Sequence, residues 1–202
     1  VDETIKFIKE NKKKTWMTHL WFYTVHWPMQ APEPLLKKYA DRKGPGLNDT
    51  RYGAMIEAMD LAIGRLLQAL DEMKLAEDTL VIFTSDNGSR LDNQGGSNGA
   101  LRGKKGTTWE GGQRVPCIMR WPSKMPAGVV RNHLTTTMDL FPTLASLAGA
   151  QIRSDRTIDG MDISSLMIED NPSASRRDEF IYYDENDIEA VRDRRWKLHV
   201  RK

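Results

Sequence analysis

Between Asn48 and Leu75, the residues Tyr52, Met55, Ile56, Met59, Ile63, Leu66, Leu67 and Leu70 recur at spacings of three and four. That repeat lines up side chains along one stripe of an α-helix, so the spacing predicts a long helix here. Ile5 and Ile8, three apart in a charged segment ahead of Lys12, Lys13 and Lys14, predict the end of an amphipathic surface helix. Elsewhere the apolar positions form unbroken runs. Trp16 to Val25 (WMTHLWFYTV), TLVIFT at 79–84 and RVPCIMRW at 114–121 are rich in β-branched and aromatic residues, the composition of buried strands. Pro28, Pro32 and Pro34 force an extended loop after the first run, before a short helix around Leu35 to Tyr39.

Towards the end of the chain, Asp139 to Leu147 has a helical pattern, with Asp139 as cap, Pro142 in the first turn and Gly149 as the stop. The runs FIYY, IEAVR and WKLHV, separated by the turn-like DEND and DRR, predict a small antiparallel meander. Strands alternating with helices before it predict an α/β sheet covered on both faces. In such a sheet, active residues gather beyond the carboxyl ends of the strands. His26 and the Ser85-Asp86-Asn87-Gly88 segment fall at such ends.

Composition narrows the chemistry. With 202 residues, 39% of them hydrophobic, the chain can bury a domain-sized core. Its 30 basic and 28 acidic residues are interspersed and nearly cancel, so no strong field points to nucleic acid or an anionic membrane. No apolar run approaches the roughly 18 residues of a membrane span. The opening VDETIKFIKENKKK lacks the apolar centre of a signal peptide. The single cysteine, Cys117, excludes an internal disulfide and a Cys/His zinc cluster, leaving oxygen and imidazole as metal ligands. Its apolar neighbours predict a small buried hydrophobe rather than a nucleophile.

Asp86 and Asn87 are adjacent hard oxygen donors on a turn, suited to Ca²⁺ or Mg²⁺; the alternative is an Asx turn bonding the local backbone. Calcium takes about six to eight oxygens, so further ligands must come from elsewhere. His26 is a candidate proton donor or anion ligand, or a structural histidine. The loop from Gly88 to Gly112 is long and glycine-rich, and in it Gly103 and Gly106 let backbone approach an oxyanion closely beside Lys104 or Lys105. Solvated lysines are the plainer reading of the same residues. Ser85, Ser89, Ser97 and Thr107 stand in no G-x-S-x-G elbow. Asp184, Glu185 and Asp187 suit a solvated hairpin turn.

Taken in order, YTVHWPMQAP, TLVIFTSDNG, SNGALRGKKGTTWEGGQRVPCIMRWP, TTMDLFPTLASLAG, DGMDISSLM and EAVRDRRWKL resemble segments of the sulfatases of the alkaline-phosphatase superfamily. The resemblance implies part of a three-layer α/β/α sandwich over residues 1–175, the carboxy-terminal portion of the catalytic domain, followed at 176–202 by the start of a small antiparallel subdomain. It implies Asp86 and Asn87 as Ca²⁺ ligands, with Ca²⁺ preferred to Mg²⁺, and His26 and Lys105 as catalytic and sulfate-contacting residues. Lys105 is selected over Lys104 because the family lysine precedes G-T-T. The family nucleophile is a formylglycine made from the Cys or Ser of C/S-x-P-x-R. That motif is absent from these residues, and so are the paired aspartates that complete the metal site.

The expectation is therefore a piece of a sulfuric ester hydrolase acting on aryl or carbohydrate sulfates, inactive alone, whose partner is the missing amino-terminal half. A periplasmic or secreted location follows from the resemblance only. Two alternatives remain: a phosphonate monoester or phosphodiester hydrolase of the same superfamily, and a non-catalytic module binding sulfate or sulfated glycans.

Overall fold

The computed structural model of the chain describes residues 1–90, 95–169 and 177–200. Helix α1 (Asp2–Asn11), α2 (Glu33–Tyr39) and α3 (Thr50–Glu72) form where the periodicity predicts helices. Asp49 begins α3: its carboxylate accepts the Arg51 main-chain N–H at 3.0 Å and the Arg51 Nε at 2.9 Å, satisfying an amide that has no partner within the helix. Ile8 of α1, Leu70 of α3 and Ala76 form a buried cluster, against which Trp16, Leu66, Met73, Leu75 and Val81 pack. Ile56 is 42% exposed and so lies off the buried side of α3, which instead includes Gly53 and Ala54. Lys38 of α2 donates to Glu57 of α3 at 2.6 Å, joining the two helices.

After α3, a short 3₁₀ turn (Ala76–Asp78) leads into β1 (Val81–Thr84), which pairs with β2 (Cys117–Arg120) in a two-stranded sheet. The Thr84 hydroxyl donates to the Pro116 carbonyl at 3.1 Å beside this pairing. Between them lies a one-turn helix, α4 (Glu110–Gln113), which the sequence reading treats as loop.

The expected buried strand at 16–25 is corrected. Among the described residues this segment joins no sheet. It keeps a period of two: Trp16, Thr18, Leu20, Phe22 and Thr24 are half-buried, whereas Met17, His19, Trp21 and Tyr23 are exposed. An apolar run fixes which side chains seek cover, but a strand also needs a neighbour for its backbone groups.

Packing divides the chain into two compact units, Val1–Ile118 and Met119–Lys202. The boundary expected at 175 and 176 falls in 170–176, outside the described residues. In the second unit, a 3₁₀ turn (Thr137–Asp139) runs into α5 (Leu140–Leu147), which ends before Gly149 at φ 68°. Asp139 does not cap its own α-helix. Its carboxylate, 1% exposed, accepts the main-chain N–H groups of Thr136 at 2.7 Å and Met161 at 2.8 Å, and pairs with Arg177 at 2.5 Å. Thr143 extends this bracing: its hydroxyl donates to the Asp139 carbonyl at 2.6 Å and accepts from the Ile163 N–H at 3.0 Å. Helix α6 (Ser164–Ile168) follows directly.

The predicted meander is present as β3 (Glu179–Asp184), β4 (Asp187–Asp193) and β5 (Lys197–His199), antiparallel in that order. Tyr182 opposes Ala190 on its buried face, and the Lys197 ammonium sits 3.6 Å from the Tyr182 ring centre. Among the described residues, no helix is long and apolar enough to cross a membrane.

Candidate functional site

Strand β1 delivers Ser85, Asp86 and Asn87 to its carboxyl end. The Ser85 hydroxyl lies 3.1 Å from the Asn87 carbonyl and 3.4 Å from Asp86 Oδ1, and the Asn87 side-chain amide donates to Asp86 Oδ2. The Asp86 carboxylate is thus exposed, and its contacts among the described residues come from the Ser85 and Asn87 side chains. Gly88 closes the turn by donating to the Gly112 carbonyl at 3.0 Å. Its Cα faces α4 so closely that a Cβ there would stand 1.7 Å from the Gly111 carbonyl oxygen. Only glycine fits at that contact.

The same one-turn helix carries the lysine loop. Gly111 donates to the Arg102 carbonyl at 2.7 Å, and a Cβ on Gly111 would meet the Gly103 carbonyl oxygen at 2.3 Å. The Arg102 guanidinium lies over the Trp109 ring, 3.7 Å from its centre, a favourable cation–π geometry. Thr107 closes the loop, its hydroxyl donating to the Lys104 carbonyl at 2.8 Å. The Lys105 main-chain N–H donates to the Ser89 carbonyl at 3.0 Å, so the backbone carrying Lys105 is tied two residues beyond Asn87. Both lysine side chains are exposed.

Asn98, which sequence reasoning did not single out, links the same two segments. Its Oδ1 accepts the Ser89 N–H at 2.8 Å, while its Nδ2 contacts the Ser89 carbonyl at 3.3 Å and the Gly103 carbonyl at 3.0 Å. Its only signal in the sequence is an amide side chain within a glycine-rich loop.

His26 sits in the bend after the extended segment and is exposed. Its contacts are local: Nδ1 lies 2.8 Å from the Trp27 carbonyl, and its ring meets that of Tyr23 edge-on at 5.8 Å between centres. The Tyr23 hydroxyl donates to the same carbonyl. A carbonyl oxygen only accepts, so Nδ1 carries the hydrogen and Nε2 is the position that takes up or releases a proton. The structure therefore ties the Lys105 backbone to Ser89, two residues after Asn87, and holds His26 on a separate loop of the same unit.

Cys117 is exposed, a correction to the buried thiol expected. Placed at the start of β2, it packs closely enough against protein for desolvation to raise its pKa, opposed by a contact with Thr84. A raised pKa keeps it a thiol at neutral pH, so its exposure does not make it a nucleophile.

The donor chemistry of Asp86 and Asn87, one carboxylate and one amide oxygen, fits a hard cation such as Ca²⁺, but supplies two of the roughly six to eight oxygens it takes. Among the described residues, no group of three or more His, Cys, Asp or Glu side chains is arranged to hold a metal.

The sulfatase family model matches residues 1–150, and a model described as N-sulphoglucosamine sulphohydrolase, C-terminal, matches residues 104–200. Steryl-sulfatase of Mus musculus is 40% identical over 198 residues, covering 95% of this chain and 30% of that protein. Among solved structures, Ps i-CgsB in complex with k-i-k-neocarrahexaose superposes with a TM-score of 0.84 at 31% identity, covering 97% of this chain and 44% of that one. The PsFucS1 sulfatase from Pseudoalteromonas sp. follows at 0.81 and 33% identity, covering 98% and 39% respectively. These likenesses confirm the α/β, alkaline-phosphatase-like fold. The chain spans about 30% of the length of the curated relatives it matches. With a family model covering residues 1–150 of 202, the chain belongs to the sulfatase family.

Proposed function

We propose that these residues form one side of a Ca²⁺-dependent site for hydrolysing sulfate monoesters, with Asp86 and Asn87 as metal ligands and Lys105 and His26 as sulfate contacts. The observation that carries this reading is the hydrogen-bonded junction of the Asp86-Asn87 turn with the Lys105 loop, through Lys105 N–H to Ser89 and through Asn98. It supports a cation and an ammonium group acting on one oxyanion. Mixed carboxylate and amide donors on a turn suit the adaptable coordination of Ca²⁺ better than the strict octahedron of Mg²⁺.

When bound, Ca²⁺ supplies Lewis-acid stabilisation of the charge on non-bridging sulfate oxygens. Lys105 adds a second positive contact to that charge. Protonated at Nε2, with Nδ1–H held by the Trp27 carbonyl, His26 donates a proton to the oxygen of the departing alcohol or phenol. None of the cysteines or serines here stands in a C/S-x-P-x-R motif. In this reading the formylglycine nucleophile and the remaining metal ligands come from outside these residues, and an aryl or carbohydrate sulfate is the substrate.

The test uses the purified chain with Ca²⁺. Inorganic sulfate should perturb the amide resonances of Lys105 and Asn87, while an aryl sulfate is bound but not hydrolysed. Turnover abolished by His26→Ala would contradict the placement of the nucleophile elsewhere. Sulfate-induced shifts confined to residues remote from Lys105 would contradict the anion site.

A further inference from the structure

We infer that Asn98 is a positioning residue that couples the cation turn to the oxyanion lysine. The inference rests on the function proposed above for Asp86, Asn87 and Lys105. Asn98 is part-buried, and its amide faces three main-chain groups: the Ser89 N–H at 2.8 Å, the Ser89 carbonyl at 3.3 Å and the Gly103 carbonyl at 3.0 Å. Ser89 lies two residues after Asn87, and Gly103 two residues before Lys105. A single side chain therefore ties the stem of the turn to the stem of the loop.

The chemistry at this position requires an amide. One acceptor oxygen meets an N–H and one NH₂ group meets two carbonyls. An aspartate of the same shape would keep the acceptor but turn a carboxylate oxygen towards two carbonyl oxygens, replacing attraction with repulsion. A second tie is the Lys105 N–H to Ser89 carbonyl bond at 3.0 Å, which uses the same carbonyl that Asn98 contacts. The Arg102–Trp109 stack and the Gly111 to Arg102 hydrogen bond hold the loop to α4, so losing Asn98 should loosen the loop relative to the turn without unfolding it.

The consequence is thermodynamic coupling. A cation at Asp86 and Asn87 and sulfate at Lys105 should each tighten the other, because ordering one segment orders its neighbour. The experiment titrates inorganic sulfate into the 202-residue chain, with and without saturating Ca²⁺, for the unmodified chain, Asn98→Asp and Asn98→Ala. In the unmodified chain Ca²⁺ should raise sulfate affinity by roughly fivefold or more. In both variants that gain should fall to near unity, while each ligand alone retains measurable binding. A purely structural role would weaken both ligands alike and leave their coupling ratio unchanged, which would overturn the inference.

Hydrogen exchange in the unmodified chain provides a second readout that does not depend on the variants folding or on sulfate binding. The amides of Ser89 and Lys105 should exchange through one shared opening while α3 amides stay protected. Independent exchange of the two amides would overturn the coupling. If they exchange together but sulfate does not bind, the positioning contact stands and the oxyanion assignment of Lys105 fails.

Discussion

The main-chain N–H of Lys105 and the carbonyl of Ser89 meet at 3.0 Å, joining the glycine-rich lysine loop to the turn that presents Asp86 and Asn87. The bond connects residues 16 apart in sequence, and the close approaches at Gly111 and Gly112 of α4 accompany it.

Gly88→Ala should be damaging at this junction. The new methyl group would stand 1.7 Å from the Gly111 carbonyl oxygen, and backbone cannot swing aside as a flexible side chain can. A loss of about 1–3 kcal/mol is expected, from overpacking. Urea unfolding of the variant checks the stability, and loss of Ca²⁺-induced shifts at Asn87 checks the geometry.

Gly64→Ala provides the opposite outcome. Gly64 lies inside α3, and nothing stands within 4 Å of the Cβ position. Replacing glycine in an unobstructed helix interior should stabilise by about 0.5–1 kcal/mol. A calorimetric Tm that rises by about 2 °C would agree, and a fall would show that α3 has a neighbour at this position.

Asp139→Ala should be the most destabilising single change in the second unit. It removes the carboxylate that neutralises the Arg177 guanidinium, only 12% of whose side chain is exposed, and that accepts from the amides of Thr136 and Met161. Removing one partner of a buried pair costs about 3–5 kcal/mol. Urea unfolding followed by the Trp196 environment, beside β5, measures it.

Acid should weaken the chain through Asp49 and Asp193. Arg51 holds the Asp49 carboxyl below its ordinary value, chiefly through its side-chain hydrogen bond; the Trp196 and Arg195 amides do the same for Asp193. Each native carboxyl binds protons less readily than in the unfolded chain. Their stabilising contribution is therefore complete above about pH 4 and is lost as pH falls through the lower native values. Asp49→Asn combined with Asp193→Asn should flatten the acid limb of a stability-against-pH curve below pH 4 and leave its slope near neutrality unchanged.

Much of this was legible in the sequence, for physical reasons that differ by element. Helix α3 is long and periodic, so its pattern alone predicts it, while its cap, Asp49, is found in the structure. The meander was legible because three short β-rich runs are punctuated by turn residues, Glu185 among them at φ 54°. The segment at 16–25 departs from its expected strand because hydrophobicity reports the demand for burial, not the presence of a pairing neighbour. Helix α4 was missed because Gly111 and Gly112 have poor helix propensity; the close approach of Gly88 and Gly103 makes small residues necessary there. Of the proposed site, Asp86 and Asn87 follow a strand that the residues predict, β1; His26 instead follows a segment that joins no sheet among the described residues, and Lys105 is chosen over Lys104 by the family resemblance alone. Asn98 was not legible, since its role lies in contacts with Ser89 and Gly103 that no local pattern encodes. Nor was the exposure of Cys117, set by its place at the start of β2.

The most direct test of the central claim is calorimetric titration of the chain with Ca²⁺, alongside Asp86→Ala. With two oxygen donors on one turn, binding should be weak, on the order of millimolar or weaker, and Asp86→Ala should abolish it. Tight stoichiometric binding that survives Asp86→Ala would contradict the account, because the cation would then be held somewhere other than the turn after β1.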